Sequence, residues 1–314
     1  NLLLGRYDAA NFAGGALGLH HGPAEAAMLA AVGRPMGLGA PMAARGGVEM
    51  VDENMANAAR VHAIESAKTY EGRTIVAFGG GGPVHGYRVA EKIGVTRMLV
   101  PSGAGVGSAI GFLRAPVAYE VVRSLYQRFG SFDVVGVNAL LADMSAEAAE
   151  VVSRGSFGAP VVETRTAYMR YVGQGHEIAV AMPPGALVAE DVAAIRAAYD
   201  AEYARFYDRP VPGSDVEVMS FAVVVSTVVD AVEPVAEPEA APAPAPVRHQ
   251  AVRDTATGAV ADWAVYDRAA MPPGCRVAGP CIVAEDETST LVGPGWRCAV
   301  DGLGYLELTR GEAA

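Results

Sequence analysis

Four consecutive glycines, Gly79 to Gly82, stand between an apolar run, Thr74-Ile-Val-Ala-Phe78, and a segment that opens on Pro83. Four adjacent residues without Cβ atoms break any regular element, so the chain turns sharply there. The run before them is short and holds β-branched residues, which predicts a buried strand. Pro83 fits a first helical turn, where its missing N–H costs nothing, and residues 83–93 predict a helix that Gly94 stops. Met98 to Pro101 predicts a second strand, and the run Gly103 to Gly111 a second glycine turn opening a further helix. Strand, glycine turn and helix, repeated once, specify an α/β layer.

The glycine run has two readings. A strand ending in glycines that open a helix brings backbone N–H groups against a ligand, and the helix start favours anionic groups. It serves equally as a tight structural turn. It is not a phosphate loop of the Lys-Ser/Thr type, because no such pair follows, and Val84 stands where a dinucleotide loop needs its third glycine. His85, in the first turn of the helix, is either a packed residue or a neutral ring beside the loop, since the helix start disfavours the imidazolium.

The first section, 1–116, also carries a predicted helix over Val51 to Lys68. Val51, Met55, Ala58, Ala59 and His62 fall near helical spacing, with Asp52, Asn57 and Arg60 on other faces. The section 117–231 mixes strands and helices. Val161 to Pro183 predicts two strands around Gly173-Gln174-Gly175, and Val216 to Val229 a long one. Between them Ala189 to Phe206 predicts an amphipathic helix turning Ile195, Tyr199, Tyr203 and Phe206 to the core. Residues 232–246 alternate Pro and Ala and predict an extended tether over the surface. Short strands between Pro/Gly turns make 247–314 a small β-rich module.

Composition narrows the function. A net charge of −11 is unsuited to a broad phosphate-binding surface, so no nucleic-acid partner is expected. No run reaches the roughly 18–20 apolar residues of a membrane span and no secretory signal is present, so a cytoplasmic protein is expected. Cys275, Cys281 and Cys298 fit no zinc spacing and read as idle thiols. No metal site is expected. His20-His21 lacks a third ligand, and Glu285-Asp286-Glu287 reads as a solvated surface. Ser108 misses nucleophile-elbow spacing. The chain starts at Asn1 without Met, which leads us to expect a piece of something longer.

Several segments, in order, resemble the hydantoinase A / oxoprolinase family. Asn1-Leu-Leu-Leu-Gly-Arg-Tyr-Asp8 with Phe12-Ala-Gly-Gly15 looks like the passage after that family's second phosphate loop. Val51 to His62, then Val76 to His85, are similar to its helix and its glycine-rich adenosine segment. The match continues through Val100-Pro101 and Gly103 to Leu113. Arg170-Tyr-Val-Gly-Gln174, Ala278-Gly-Pro280 and Gly293-Pro-Gly-Trp296 look like further landmarks.

The resemblance implies an α/β fold that is part of an actin-like ATPase domain, followed by α+β and small β-rich C-terminal domains. It implies ATP and Mg²⁺ as cofactors, a small-molecule substrate and a hydantoinase B-type partner. Gly79, Gly80, Gly81 and Gly82 would cradle the adenosine end of ATP, with His85 lining the same cleft. Catalytic residues are not assigned by it. Gly81 departs from the family's usual alanine, and Ala9 from its usual proline. Nothing resembles the family's Asp-x-Gly-Gly-Thr phosphate loops, so the chain alone is expected to be inactive and to need the N-terminal half of the same protein. Three readings stay open: ATP-dependent opening of a cyclic amide of the hydantoin or 5-oxoproline type, the ATP-binding subunit of a ketone carboxylase, or a non-catalytic assembly domain.

Overall fold

The computed structural model describes residues 1–9, 11–66, 68–229 and 233–311. It divides into two compact units, Asn1–Arg114 with Glu233–Ala314, and Ala115–Val232. The first unit opens on a 3₁₀ turn, Leu2–Leu4, followed by α1 (His21–Met28), α2 (Arg34–Met36) and α3 (Ala40–Glu65). Proline in the first turn starts α3 well before Val51, and the helix runs through Gly46-Gly47 because Ala44 and Val48 pack on Leu4. Its buried stripe passes through Ala44, Val48, Asp52, Ala56 and Ala63. Val51 and Met55, expected on one apolar face, are exposed. Next come β1 (Ile75–Val76), α4 (Gly82–Ile93), β2 (Arg97–Val100) and α5 (Gly107–Arg114). The strands β1 and β2 pair in parallel, with Ile75 opposite Met98. Met98 occupies the space a side chain at Gly86 would need, so α4 lies close on β2.

The second unit is an antiparallel sheet with two helices. In chain order it contains β3 (Ala118–Arg128), α6 (Val134–Ser153), β4 (Val161–Tyr171), β5 (Ile178–Ala181), α7 (Asp191–Tyr207) and β6 (Val216–Thr227). The sheet order is β3-β6-β4-β5. The two strands expected around Gly173-Gln174-Gly175 are β4 and β5. The expected helix is α7, with Ile195, Tyr199 and Tyr203 buried and Phe206 exposed. Leu141 and Met144 of α6 share a core with Ile195, Phe221 and Val223.

After residues 230–232, which lie outside the described residues along with the start of the Pro/Ala segment, the chain runs extended to β7 (Arg248–Arg253). An isolated bridge pairs Ala241 with Cys275, and Gly274 (φ 86°) has no room for a Cβ against the Glu239 carbonyl. Then follow β8 (Val260–Asp267), β9 (Arg276–Ala278), β10 (Cys281–Ala284), β11 (Ser289–Val292), β12 (Trp296–Val300) and β13 (Leu306–Arg310). They build a four-stranded sheet, β11-β10-β8-β7, and complete a five-stranded one, β1-β2-β13-β12-β9.

Residues 247–314, separated by the sequence reading, are thus joined to the first section, with β13 antiparallel to β2. The reason is physical: two short parallel strands bury too little alone. Met98 and Tyr87 share one core with Trp263 and Trp296. The strand expected to be buried, β1, is at the edge of its sheet, and Val76 and Phe78 are about half exposed.

Candidate functional site

Both parallel strands, β1 and β2, run into glycine loops at their carboxyl ends, where open α/β sheets bind ligands. The first loop holds Gly79 to Gly82 and the second Gly103 to Gly107. A cleft of about 560 Å³ lies there, entirely within the first unit. Gly80, Gly105 and Val106 form one side of it. The N-terminal segment brings Tyr7, Asp8, Phe12 and Gly14, and the turn between β10 and β11 brings Glu285 to Ser289. Thr288 Oγ1 donates to the Gly80 carbonyl at 2.9 Å and fastens that turn to the first loop. The N-terminal segment is fastened by Gln250, whose Nε2 donates to the carbonyls of Gly5 (2.7 Å) and Tyr7 (3.0 Å).

The two loops need glycine for different reasons. A Cβ at Gly105 would lie 2.7 Å from the Glu287 carbonyl oxygen and 2.8 Å from its carbon, so the second loop is glycine because backbone presses on it. In the first loop only Gly79 has a left-handed φ, 90°. A Cβ at Gly80 would be 3.7 Å from the Glu287 oxygen, one at Gly82 3.7 Å from the Ala77 carbonyl carbon, and one at Gly81 would meet nothing within 4 Å. The fold therefore does not require glycine at residues 80–82.

His85, expected to line the same cleft, turns instead to α3 and the N-terminus. Its Nδ1 lies 2.6 Å from Asp52 Oδ1, and its Nε2 3.0 Å from Asn1 Nδ2. The amide nitrogen of Asn1 only donates, so Nε2 accepts and Nδ1 carries the hydrogen bonded to the carboxylate. Asn1 Oδ1 accepts from Arg6 Nη1 at 3.4 Å, and Arg6 Nη2 donates to Thr255 Oγ1 at 3.0 Å. Both Asp52 and Arg6 are fully buried, and Asp52 Oδ2 and Arg6 Nε have no hydrogen-bond partner among the described residues. This chain of polar side chains ties the first turn of α4, directly after the first loop, to the segment that carries Tyr7 and Asp8. Sequence reading could not reach it, because Asp52 is 33 residues from His85.

Outside this chain, Glu49 of α3 is bound by Arg88 (2.9 Å) and Lys92 (3.0 Å) of α4. Burial opposes its ionisation, but the hydrogen bonds from Arg88, Lys92 and Thr255 prevail and hold the carboxyl at about 2. Glu285, expected on a solvated surface, has its side chain nine-tenths buried in the cleft wall. Burial raises its carboxyl above the usual range, against the pull of Arg268 and with a further push from Glu287. Asp286 and Glu287 are exposed. The signal available in the sequence was the apolar run Cys281 to Ala284, which ends directly at Glu285.

The three cysteines are buried and free, and burial pushes Cys281 up to about 12. Such thiols are poor nucleophiles. Among the described residues no group of three or more His, Cys, Asp or Glu could hold a metal ion, so none is assigned to the implied Mg²⁺. Among them, too, no helix is long and apolar enough to cross a membrane.

The hydantoinase/oxoprolinase family model matches residues 1–121, and that of the hydantoinase/oxoprolinase C-terminal domain residues 135–310. The chain belongs to the hydantoinase/oxoprolinase family. It is 26% identical to the caprolactamase alpha subunit of Pseudomonas jessenii, over 99% of this chain and 46% of the relative. It is 25% identical to the acetone carboxylase beta subunit of Xanthobacter autotrophicus, over 96% of this chain and 44% of the relative. Among solved structures, the ATP-dependent caprolactamase of P. jessenii matches with a TM-score of 0.75 at 26% identity, over 99% of this chain and 46% of that one. The nucleotide-free acetone carboxylase has the same fold, with a TM-score of 0.75 at 24% identity and the same coverages. The family member described here thus spans about half the length of the relatives it matches.

Proposed function

We propose that this chain supplies the nucleoside-binding part of an ATP-dependent enzyme that opens a cyclic amide, within an actin-like fold completed by sequence outside the chain. A lactam carbonyl is a poor electrophile. Phosphorylating its oxygen activates the carbon: water adds there, the C–N bond breaks and the ring nitrogen is released as an amine. A second water hydrolyses the resulting acyl phosphate to carboxylate and phosphate, with positioning and charge stabilisation supplying most of the catalysis. The observation that carries the reading is that neither backbone angle nor packing asks for glycine at Gly80 to Gly82, with open space at Gly81. Bare main chain beside a cleft is what a planar nucleoside needs for close approach. The cleft fits the nucleoside end of ATP and not its phosphates, because its described lining residues include no lysine, arginine or histidine. Gly79 holds the loop's turn, and His85 acts one step back, through its bonds to Asp52 and Asn1. When bound, ATP would supply the phosphoryl group. The phosphate contacts, Mg²⁺ ligands and catalytic residues then belong to the remaining part of the protein or to a hydantoinase B-type partner, in the cytoplasm where ATP is available.

Gly81→Ala tests the carrying observation. In the complete protein it should leave the unfolding midpoint unchanged or slightly higher and weaken ATP binding roughly tenfold in equilibrium titration. Unchanged ATP affinity would return the loop to a plain turn. The chemistry is read by ATP turnover of the complete protein with its partner subunit. A rise with caprolactam, hydantoin or 5-oxoproline supports amide opening. The likeness to acetone carboxylase, at nearly equal identity, keeps ketone carboxylation as the second reading, and a rise only with acetone and bicarbonate would select it.

A further inference from the structure

The long helix α3 has two unlike faces. One is buried, through Ala44, Val48, Asp52 and Ala56. On the opposite side Gly47, Met50, Asn54, Asn57, Val61 and Ile64 follow one another at alternating steps of three and four residues. That spacing keeps side chains in one line along a helix and is the spacing by which two helices pack together. All six are exposed, Met50 by 66%, Val61 by 53% and Ile64 by 77%. None is charged, whereas the outer face of a surface helix ordinarily carries charged side chains.

Two glycines head this row. Gly46 and Gly47 lie inside the helix, where glycine weakens it. A Cβ at either would meet nothing within 4 Å, and neither has a left-handed φ, so packing within the chain does not ask for them. Close approach of another helix does. The row is also complementary to its own reverse. With a two-fold axis at its middle, Gly47 faces Ile64 of a second copy, Met50 faces Val61, and Asn54 faces Asn57. Small meets large, apolar meets apolar and amide meets amide. On the flank Glu53, which binds Arg60 at 2.7 Å within one copy, comes opposite Arg60 of the second, so charges of opposite sign meet across the axis. Parallel helices would set Gly47 on Gly47 and Ile64 on Ile64 and lose this match.

We propose that this face of α3 is a docking surface for a second copy of the protein, the two helices running antiparallel about a two-fold axis between Asn54 and Asn57. Each contact then occurs twice, as a two-fold interface requires. The row is about 25 Å long, which makes a small interface and a reversible association. The residues lining the cleft include none of α3, so this surface stands apart from the nucleoside reading.

The test is cross-linking of the complete protein, with its partner subunit, by a short bis-maleimide. Asn54→Cys lies near the axis and should join two copies, giving a band at twice the chain mass that the wild type lacks, since Cys275, Cys281 and Cys298 are buried. Ile64→Cys should give none, because its counterpart in the second copy lies about 25 Å away along the helix. Adding Ile64→Glu to Asn54→Cys should cut the linked yield roughly tenfold in dilute protein, as loss of one buried isoleucine contact predicts. An Asn54→Cys protein without the band overturns the proposal, whether the remaining part of the protein or the partner subunit covers the thiol or it stays free and unlinked. Equal yield from Ile64→Cys overturns it too, since only parallel helices bring those two residues together. A band that survives Ile64→Glu unchanged marks random collision and overturns it as well.

Discussion

The two units bury charge differently. In the second, Glu217 is 4% exposed and lies between strands that answer it: Arg170 Nε donates at 2.7 Å and the Tyr126 hydroxyl at 2.8 Å. In the first, Arg6 and Asp52 are fully buried and each keeps an atom without a hydrogen-bond partner among the described residues. A sheet that only has to fold satisfies its buried charge locally. A region that must receive a ligand carries polar groups whose partners are incomplete, and the cost is carried by the packing around it. Burial class alone would not separate the units, since both have large apolar cores. Satisfaction of the buried charges does.

That contrast breaks most easily through the second unit's core. Phe221 is fully buried. Phe221→Ala should cost about 3–5 kcal/mol, read as a lower midpoint in chemical denaturation. Below that midpoint ATP affinity should remain within about twofold of wild type. Affinity that falls in step with stability would mean that the two units do not divide the labour as argued.

Next in size is the buried chain from Asp52 to Arg6. Removing one charge leaves the other uncompensated, so Asp52→Asn and Arg6→Gln should each cost about 3 kcal/mol or more. The double variant should cost less than the sum by about 1–2 kcal/mol. Additive costs, measured by denaturation of all four proteins, would show that His85 and Asn1 do not connect the two charges.

How much of this could be read from the sequence depends on sequence distance. Period and turn residues placed β4, β5 and α7, and glycine between strand and helix placed the first loop. Those signals are local. The second wall of the cleft is not: Thr288 bonds Gly80 across 208 residues, and the acids around it read as solvated surface for want of any neighbour in the chain. Asp52 misled in the same way. A carboxylate on a helix reads as a solvent face until a distant imidazole is known to cover it. The association of β13 with β2 across a whole intervening unit had no local sign either.

The contrast between the loops gives a smaller effect. Gly105→Ala forces a Cβ against the Glu287 backbone, which cannot yield as a side-chain tip would. It should cost about 1–3 kcal/mol and weaken ATP binding through displacement of the β10–β11 turn. Gly81→Ala should affect binding alone. Equal loss of stability in both would erase the distinction between a loop shaped by packing and a loop left open.

The smallest effect sharpens the electrostatic side. Glu49 bridges α3 to α4, and its carboxyl is held at about 2 against an ordinary value of 4.5. A folded-state value below the unfolded one means that the native protein holds fewer protons, so the contribution is fully present above about pH 4.5. It declines as pH falls from there and is lost through about pH 2. The site is open enough to water for screening to reduce its worth to about 1 kcal/mol. Glu49→Gln should therefore lower the urea midpoint at pH 7, and the gap to wild type should narrow steadily below pH 4.5. A gap unchanged between pH 7 and pH 3 would assign the loss to packing rather than to charge.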